Sequence, residues 1–272
     1  MSERITKTFE NLAVQGKSGF IAYVTAGDPS PGAMPEILAA LDRAGTDVIE
    51  LGIPFSDPLA DGPTIQAASG RALAAGMTVR GILDLVREFR KSSSTPVVLF
   101  TYLNPIFAFG FEAFIQEAVE AGADGLLVLD MPPEEAAANA GMLWSGGLDP
   151  IRLVAPTTPA GRMPGICETA RGFLYYVSRE GVTGEQTSLS TSIASQVEML
   201  RTFTKLPIAV GFGISTPEQS AEVARHADAV VVGSAIVRHI AECPDRKELA
   251  RRVEEFVAPL ASAAHSARLS LK

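Results

Sequence analysis

The stretch Phe114-Ile115-Gln116-Glu117-Ala118-Val119-Glu120-Ala121-Gly122-Ala123-Asp124-Gly125-Leu126-Leu127-Val128-Leu129 changes its period part-way along. Phe114, Ala118 and Ala121 recur at the spacing of one helix face. Gly122 ends that pattern, where a helix C-terminus is commonly closed by a residue free to turn left-handed. From Gly125 the chain becomes a short continuous apolar run, the pattern of a strand buried on both faces. Arg43-Ala44-Gly45-Thr46-Asp47 makes the same junction earlier, and His226-Ala227-Asp228 leads similarly into a later apolar run. The repeating unit is therefore a helix, a tight turn and a buried strand.

Working outward, runs of the strand type occupy residues 20–25, 47–51, 97–101, 125–129, 151–155, 173–178, 208–211 and 229–232. Helical patterns fill the gaps. Ile193, Val197 and Leu200 follow the sixth run, with Ser190 or Thr191 as the expected N-cap, and Leu249, Val253, Phe256, Val257 and Leu260 mark a C-terminal helix. Eight strand–helix units predict an α/β chain folded as a closed (β/α)₈ TIM barrel. The length of 272 residues suits one such barrel, typically about 250 residues, and no Gly-, Ser- or Pro-rich linker divides it. The expectation is one domain over residues 1–272, with a short N-terminal helix and extra loops or helices on the C-terminal face. The irregular stretches 52–63, 104–110 and 179–188 all follow strands and so belong to that face, where barrel enzymes build their active sites.

Composition narrows the function. Hydrophobic residues make up 47% and charged residues 20%, enough for a large core. The net charge of −8 argues against nucleic acid or an anionic membrane as the main partner. Cys167 and Cys243 form no disulfide framework and no metal-ligand spacing, so two reduced thiols and no metal site are expected. The N-terminus Met1-Ser2-Glu3-Arg4 lacks an apolar signal core, and no apolar run reaches the roughly 18 residues of a membrane span. The expected location is cytoplasmic.

Three segments could carry chemistry. Glu50 ends the second strand, in a stretch that continues to Pro63. A carboxylate there is either ion-paired at the barrel mouth or a general acid/base whose pKa is raised by apolar surroundings. Asp61 lies in the same loop, stiffened by Pro54, Pro58 and Pro63; it is either a second working carboxylate or the N-cap of a helix beginning near Pro63. The loop also holds Ile53, Phe55 and Leu59, apolar groups either tucked inward or kept for a partner. Gly211-Phe212-Gly213-Ile214-Ser215 and Gly233-Ser234 follow the seventh and eighth strands, the latter opening a short helix. They read either as ordinary turns or as a phosphate cradle of backbone N–H groups and a helix N-terminus. The third segment runs from Tyr175 through Arg179, Gly181 and Gly184, a hinged lid or an ordinary loop. His226, His239 and His265 fall in helices or at helix ends and read as surface residues, leaving acid–base work to carboxylates.

Residues 50–63, 178–184, 211–214 and 233–234, with Thr25-Ala26-Gly27-Asp28-Pro29 after the first strand, together resemble the α subunits of tryptophan synthase, in order and spacing, over essentially the whole chain. The resemblance implies a barrel that cleaves indole-3-glycerol phosphate to indole and glyceraldehyde 3-phosphate. It implies a β-subunit partner in an α2β2 tetramer that condenses the indole with serine, with pyridoxal phosphate in the partner and no cofactor in this chain. Carried over by position, it casts Glu50 as catalytic acid/base and Asp61 as the second carboxylate. Tyr175 and Thr183 become substrate-site residues, and Gly184, Gly213, Gly233 and Ser234 the phosphate cradle. Tyr23 and Phe100 line the expected indole pocket; with Ala22 they depart from the residues common in the family, Pro and Phe at 22 and 23 and Leu at 100. Pro54, Phe55, Asp57 and Leu59 are the expected partner contacts. A free-standing lyase, a chiefly regulatory subunit and a sugar-phosphate isomerase are the competing readings; the last has no use for the Glu50–Asp61 segment.

Overall fold

The computed structural model describes residues 2–177, 186–211 and 213–267. Helix α1 (Glu3–Val14) opens the chain and β1 (Gly19–Thr25) follows. Next come α2 (Met34–Arg43), β2 (Val48–Gly52), α3 (Pro63–Ala74), α4 (Val79–Phe89) and β3 (Val97–Thr101). Helices α5 (Leu103–Phe109) and α6 (Phe111–Ala121) lead to β4 (Gly125–Val128), and α7 (Pro133–Gly146) leads to β5 (Asp149–Pro150) and β6 (Arg152–Val154). After α8 (Met163–Thr169) come β7 (Leu174–Val177), α9 (Gln186–Arg201), β8 (Ile208–Gly211), α10 (Pro217–Ala224), β9 (Ala229–Val232), α11 (Ser234–Ala241) and α12 (Leu249–Ser266).

The strands are parallel, in the order β5-β4-β3-β2-β1-β9-β8-β7-β6. Only Ile151 separates β5 from β6, so one stave carries both. Its first half pairs with β4 and its second with β7, and the Ile151 N–H donates to the Leu126 carbonyl at 3.0 Å. The barrel closes through this stave, as the eight apolar runs predict. The fifth run differs from expectation in starting two residues earlier and being interrupted; Pro150 has no N–H for a continuous ladder.

The turns behave as their glycines predict. Gly122 and Gly45 have φ of +92° and +88°, left-handed values that cost a side chain energy. Alternation along the strands sends Ile49, Leu51 and Leu99 out to the helices, and Ile21, Val48, Val98 and Phe173 inward. The interior cluster also contains Ile5, Phe9 and Leu12 of α1, which closes the N-terminal end of the barrel; Phe9 meets Phe173 with ring centres 5.7 Å apart.

Three further expectations are corrected. Residues 104–110 are not irregular but largely helix α5. Pro105 sits in its first turn, where backbone N–H groups have no intrahelical partner to lose, and Asp130 accepts the Leu103 N–H at 2.7 Å. Helix α9 begins at Gln186, one turn before the expected cap at Ser190 or Thr191. The histidines are less superficial than expected: His265 pairs with Asp47 at 2.6 Å and His239 stacks on Phe256. Among the described residues no helix is long and apolar enough to cross a membrane.

Candidate active site

Strand β2 delivers Glu50 to the C-terminal end of the barrel. In a strand alternate residues share a face, so Glu50 points inward as Val48 does. Its register partners are Tyr23 on β1 and Val98 on β3. The carboxyl is fully buried, and neither oxygen has a hydrogen-bond partner among the described residues. The ion-pair alternative therefore fails. Burial alone pushes its pKa up to about 8, because the charged form loses its hydration without a compensating partner.

Aromatic side chains build the wall around it. Tyr23 and Phe100 meet edge to face with ring centres 5.1 Å apart, and Ile65 and Ala68 of α3 and Val237 of α11 pack with them. The Tyr23 hydroxyl lies over Gly52, where any side chain would collide with it, and reaches Thr25 Oγ1 at 3.4 Å. On the other side the Tyr175 hydroxyl lies over Gly211, where a Cβ would stand 2.6 Å from it. Burial, with the nearby Glu50 carboxyl, drives the Tyr175 phenol well above its usual range. Both phenols therefore stay protonated and can donate hydrogen bonds.

Asp61 approaches from the loop between β2 and α3. Gly62, not Asp61, is the N-cap of α3, and the Asp61 carboxylate instead accepts from the Tyr102 hydroxyl at 3.0 Å. The same hydroxyl accepts the Ala60 N–H at 3.0 Å, so Tyr102 grips the loop at two successive residues. Burial raises the Asp61 pKa and the Tyr102 hydrogen bond opposes that rise. The loop is fixed further on: Asp61 N–H donates to Pro58 O at 3.0 Å, and Gln66 Nε2 to Asp61 O at 2.9 Å. Arg71 of α3 donates two hydrogen bonds, 2.7 and 2.8 Å long, to the buried Asp28 carboxylate, tying α3 to the turn after β1.

Sequence reasoning missed Tyr102 and Arg71. Tyr102 carried one usable signal, a hydroxyl-bearing aromatic directly after the third strand, on the working face.

The glycine turns reach the same end of the barrel. Gly213 is exposed with φ of +65°, and Gly233 is the N-cap of α11, whose first residue Ser234 is exposed. Thr183 and Gly184 lie outside the described residues. Of the expected partner contacts, Pro54 is buried and Phe55 packs against Tyr102 with ring centres 5.4 Å apart. Phe55 is half-buried there, while Asp57 and Leu59 are exposed, Leu59 to 84%. Phe107 of α5, 60% exposed on the same face, was not anticipated. No group of three or more His, Cys, Asp or Glu among the described residues is placed to hold a metal ion.

The chain is similar to known proteins over nearly its whole length. The family model described as tryptophan synthase alpha chain matches residues 9–265. The tryptophan synthase alpha chain of Phenylobacterium zucineum is 49% identical over 98% of this chain and 97% of its own length. That of Citrifermentans bemidjiense is 48% identical over 94% and 96%. The crystal structure of tryptophan synthase subunit alpha from Legionella pneumophila superposes with a TM-score of 0.89 at 43% identity, covering 97% of this chain and 98% of that one.

Proposed function

The chain belongs to the tryptophan synthase alpha chain family, and we propose that Glu50 and Asp61 are the two carboxylates with which it performs the family's reaction. It is a carbon–carbon lyase, cleaving indole-3-glycerol phosphate to indole and glyceraldehyde 3-phosphate. The observation that carries the residue assignment is the Glu50 carboxyl, buried and unpartnered inside an aromatic wall at the barrel mouth.

The cleavage is a retro-aldol step, and the indole ring must first become an electron sink. Neutral Glu50 donates its proton to indole C3, giving an indolenine with positive charge at N1. Ionised Asp61 accepts the N1–H hydrogen bond and stabilises that charge. Glu50, now a carboxylate, takes the proton of the glycerol hydroxyl beside the scissile bond. The C–C bond breaks, its electron pair returns to the ring, and the hydroxyl carbon becomes the aldehyde of glyceraldehyde 3-phosphate. Glu50 ends protonated, as it began. The scheme calls on no metal or organic cofactor in this chain.

The phosphate is assigned to the backbone N–H groups around Gly213, Gly233 and Ser234, with the α11 N-terminus adding partial positive charge, and by resemblance to Gly184. Thr183 by resemblance, with Tyr175, Tyr23 and Phe100, faces the rest of the substrate. Tyr102 is a positioning residue for Asp61. The Tyr102→Phe variant is expected to lower kcat about three- to tenfold, the worth of one hydrogen bond, with KM nearly unchanged. It should also raise the apparent pKa contributed by Asp61, since the lost donor favours the charged form. Steady-state assays over pH read both.

The partner is a pyridoxal-phosphate-bearing β subunit, in an α2β2 assembly in the cytoplasm. The exposed Leu59, Phe107 and Asp57 beside the mouth support a contact there. Mixing the purified chain with a β subunit is expected to produce a large rise in indole-3-glycerol phosphate cleavage. An unchanged rate would make it a free-standing lyase instead.

A further inference from the structure

The end of the barrel opposite Glu50 holds a cleft of about 190 Å³, between α1 and the connection from α9 to β8. Phe9, Leu12, Leu206 and Pro207 give it an apolar lining, and Lys17, Arg201, Lys205 and Asp228 supply the charge. Asp228 is already engaged: its carboxylate accepts from Arg201 Nη2 at 2.9 Å and from the Ile208 N–H at 2.8 Å. Lys17 and Lys205 take part in no ion pair among the described residues. The lining therefore has two more cations than anions, with Lys17 half-buried and Lys205 exposed at the rim, in a chain whose net charge is −8. Two exposed apolar residues lie close in the chain to the lining: Val14, next to Ala13, at 89%, and Phe203, two residues before Lys205, at 36%.

The walls are fixed without a ligand. Ser18 Oγ donates to Ala227 O at 2.9 Å, Gly19 N–H to Asp228 O at 2.8 Å, and Leu174 N–H to Pro207 O at 2.8 Å. A preformed site loses little on ordering when it binds. An enclosed apolar cavity of about 150 Å³ accommodates benzene; this cleft is open on one side, and its volume leaves room for a flat ring laid against the apolar wall. The ammonium groups suit an anionic head, through charge-assisted hydrogen bonds. We propose that this cleft is a second binding site, specific for a small aromatic anion: a flat apolar body on Phe9, Leu12, Leu206 and Pro207, with its carboxylate between Lys17 and Lys205. The proposal is independent of the lyase assignment.

The test is isothermal titration of the intact chain with 2-naphthoate, and with neutral 2-naphthamide as control. Naphthoate is expected to bind saturably and at least tenfold more tightly than the amide. The double variant Lys17→Glu/Lys205→Glu should weaken it at least tenfold while leaving lyase turnover unchanged, which also reports an intact fold. Ala13→Trp, which fills the cleft from an exposed position, should abolish binding. A final titration uses the Glu50→Gln variant with indole-3-glycerol phosphate held in its mouth, and naphthoate should still bind. Equal affinities for acid and amide, insensitivity to the variants, or displacement by indole-3-glycerol phosphate would each overturn the proposal.

Discussion

Replacing Glu50 with Gln is expected to lower turnover by about 10²–10⁴-fold, the usual contribution of a general acid/base, while making the folded barrel more stable. The two effects have one cause. Folding strips water from the carboxyl and provides no partner, so its pKa rises from 4.5 to about 8. Between those values the native chain holds a proton that the unfolded chain has released. Stability therefore falls as pH rises through this window, and levels off above it. At about 1.4 kcal/mol per pKa unit, the loss reaches several kcal/mol by pH 8. Gln keeps the shape and cannot ionise, so the variant escapes it. Thermal unfolding should show the gain of Glu50→Gln over the parent chain to be small near pH 5 and largest near pH 8. A constant gain across that range, or near-normal indole release, would contradict the assignment.

The second large effect is expected at Asp61. Asn preserves the size of the side chain and keeps an oxygen for the Tyr102 hydroxyl, so the loop should stay in place. What disappears is a negative charge facing the indolenine. At about 4 Å in surroundings of effective dielectric near 20, that attraction is worth about 4 kcal/mol. The expected loss in kcat for Asp61→Asn is thus about 10²–10³-fold. KM should change little, because the ring is neutral in the bound substrate and becomes charged only as C3 is protonated. A variant with raised KM and unchanged kcat would instead make Asp61 a ground-state binding group.

Much of this was legible in the amino-acid order. The period change at Gly122 and its echo at Gly45 predict strand, turn and helix from local chemistry alone, and both glycines adopt the left-handed turn they imply. The inward aim of Glu50 follows from alternation with Val48. What stayed hidden depends on contacts between distant segments. Whether Asp61 caps α3 or turns to another partner is decided by Tyr102, which follows β3, and Tyr102 looks like any aromatic after a strand until the fold brings the two together. The choice for Phe55 between tucking inward and facing a partner is open in the sequence for the same reason: its ring packs on Tyr102, from a distant segment. Helix α5 was hidden by a proline that suits a first helical turn as well as it suits a loop. Phosphate binding also lies beyond composition. A cradle of backbone N–H groups is invisible to a charge count, so a net charge of −8 does not argue against a phosphate substrate.

The central claim is that the reaction begins with a proton on Glu50. The pH dependence of kcat/KM for indole release tests it most directly, because that parameter reports the free enzyme's essential groups. The prediction is an alkaline limb with an apparent pKa near 8, absent from the residual activity of the Glu50→Gln variant. A kcat/KM that stays level to about two units above that value would contradict it.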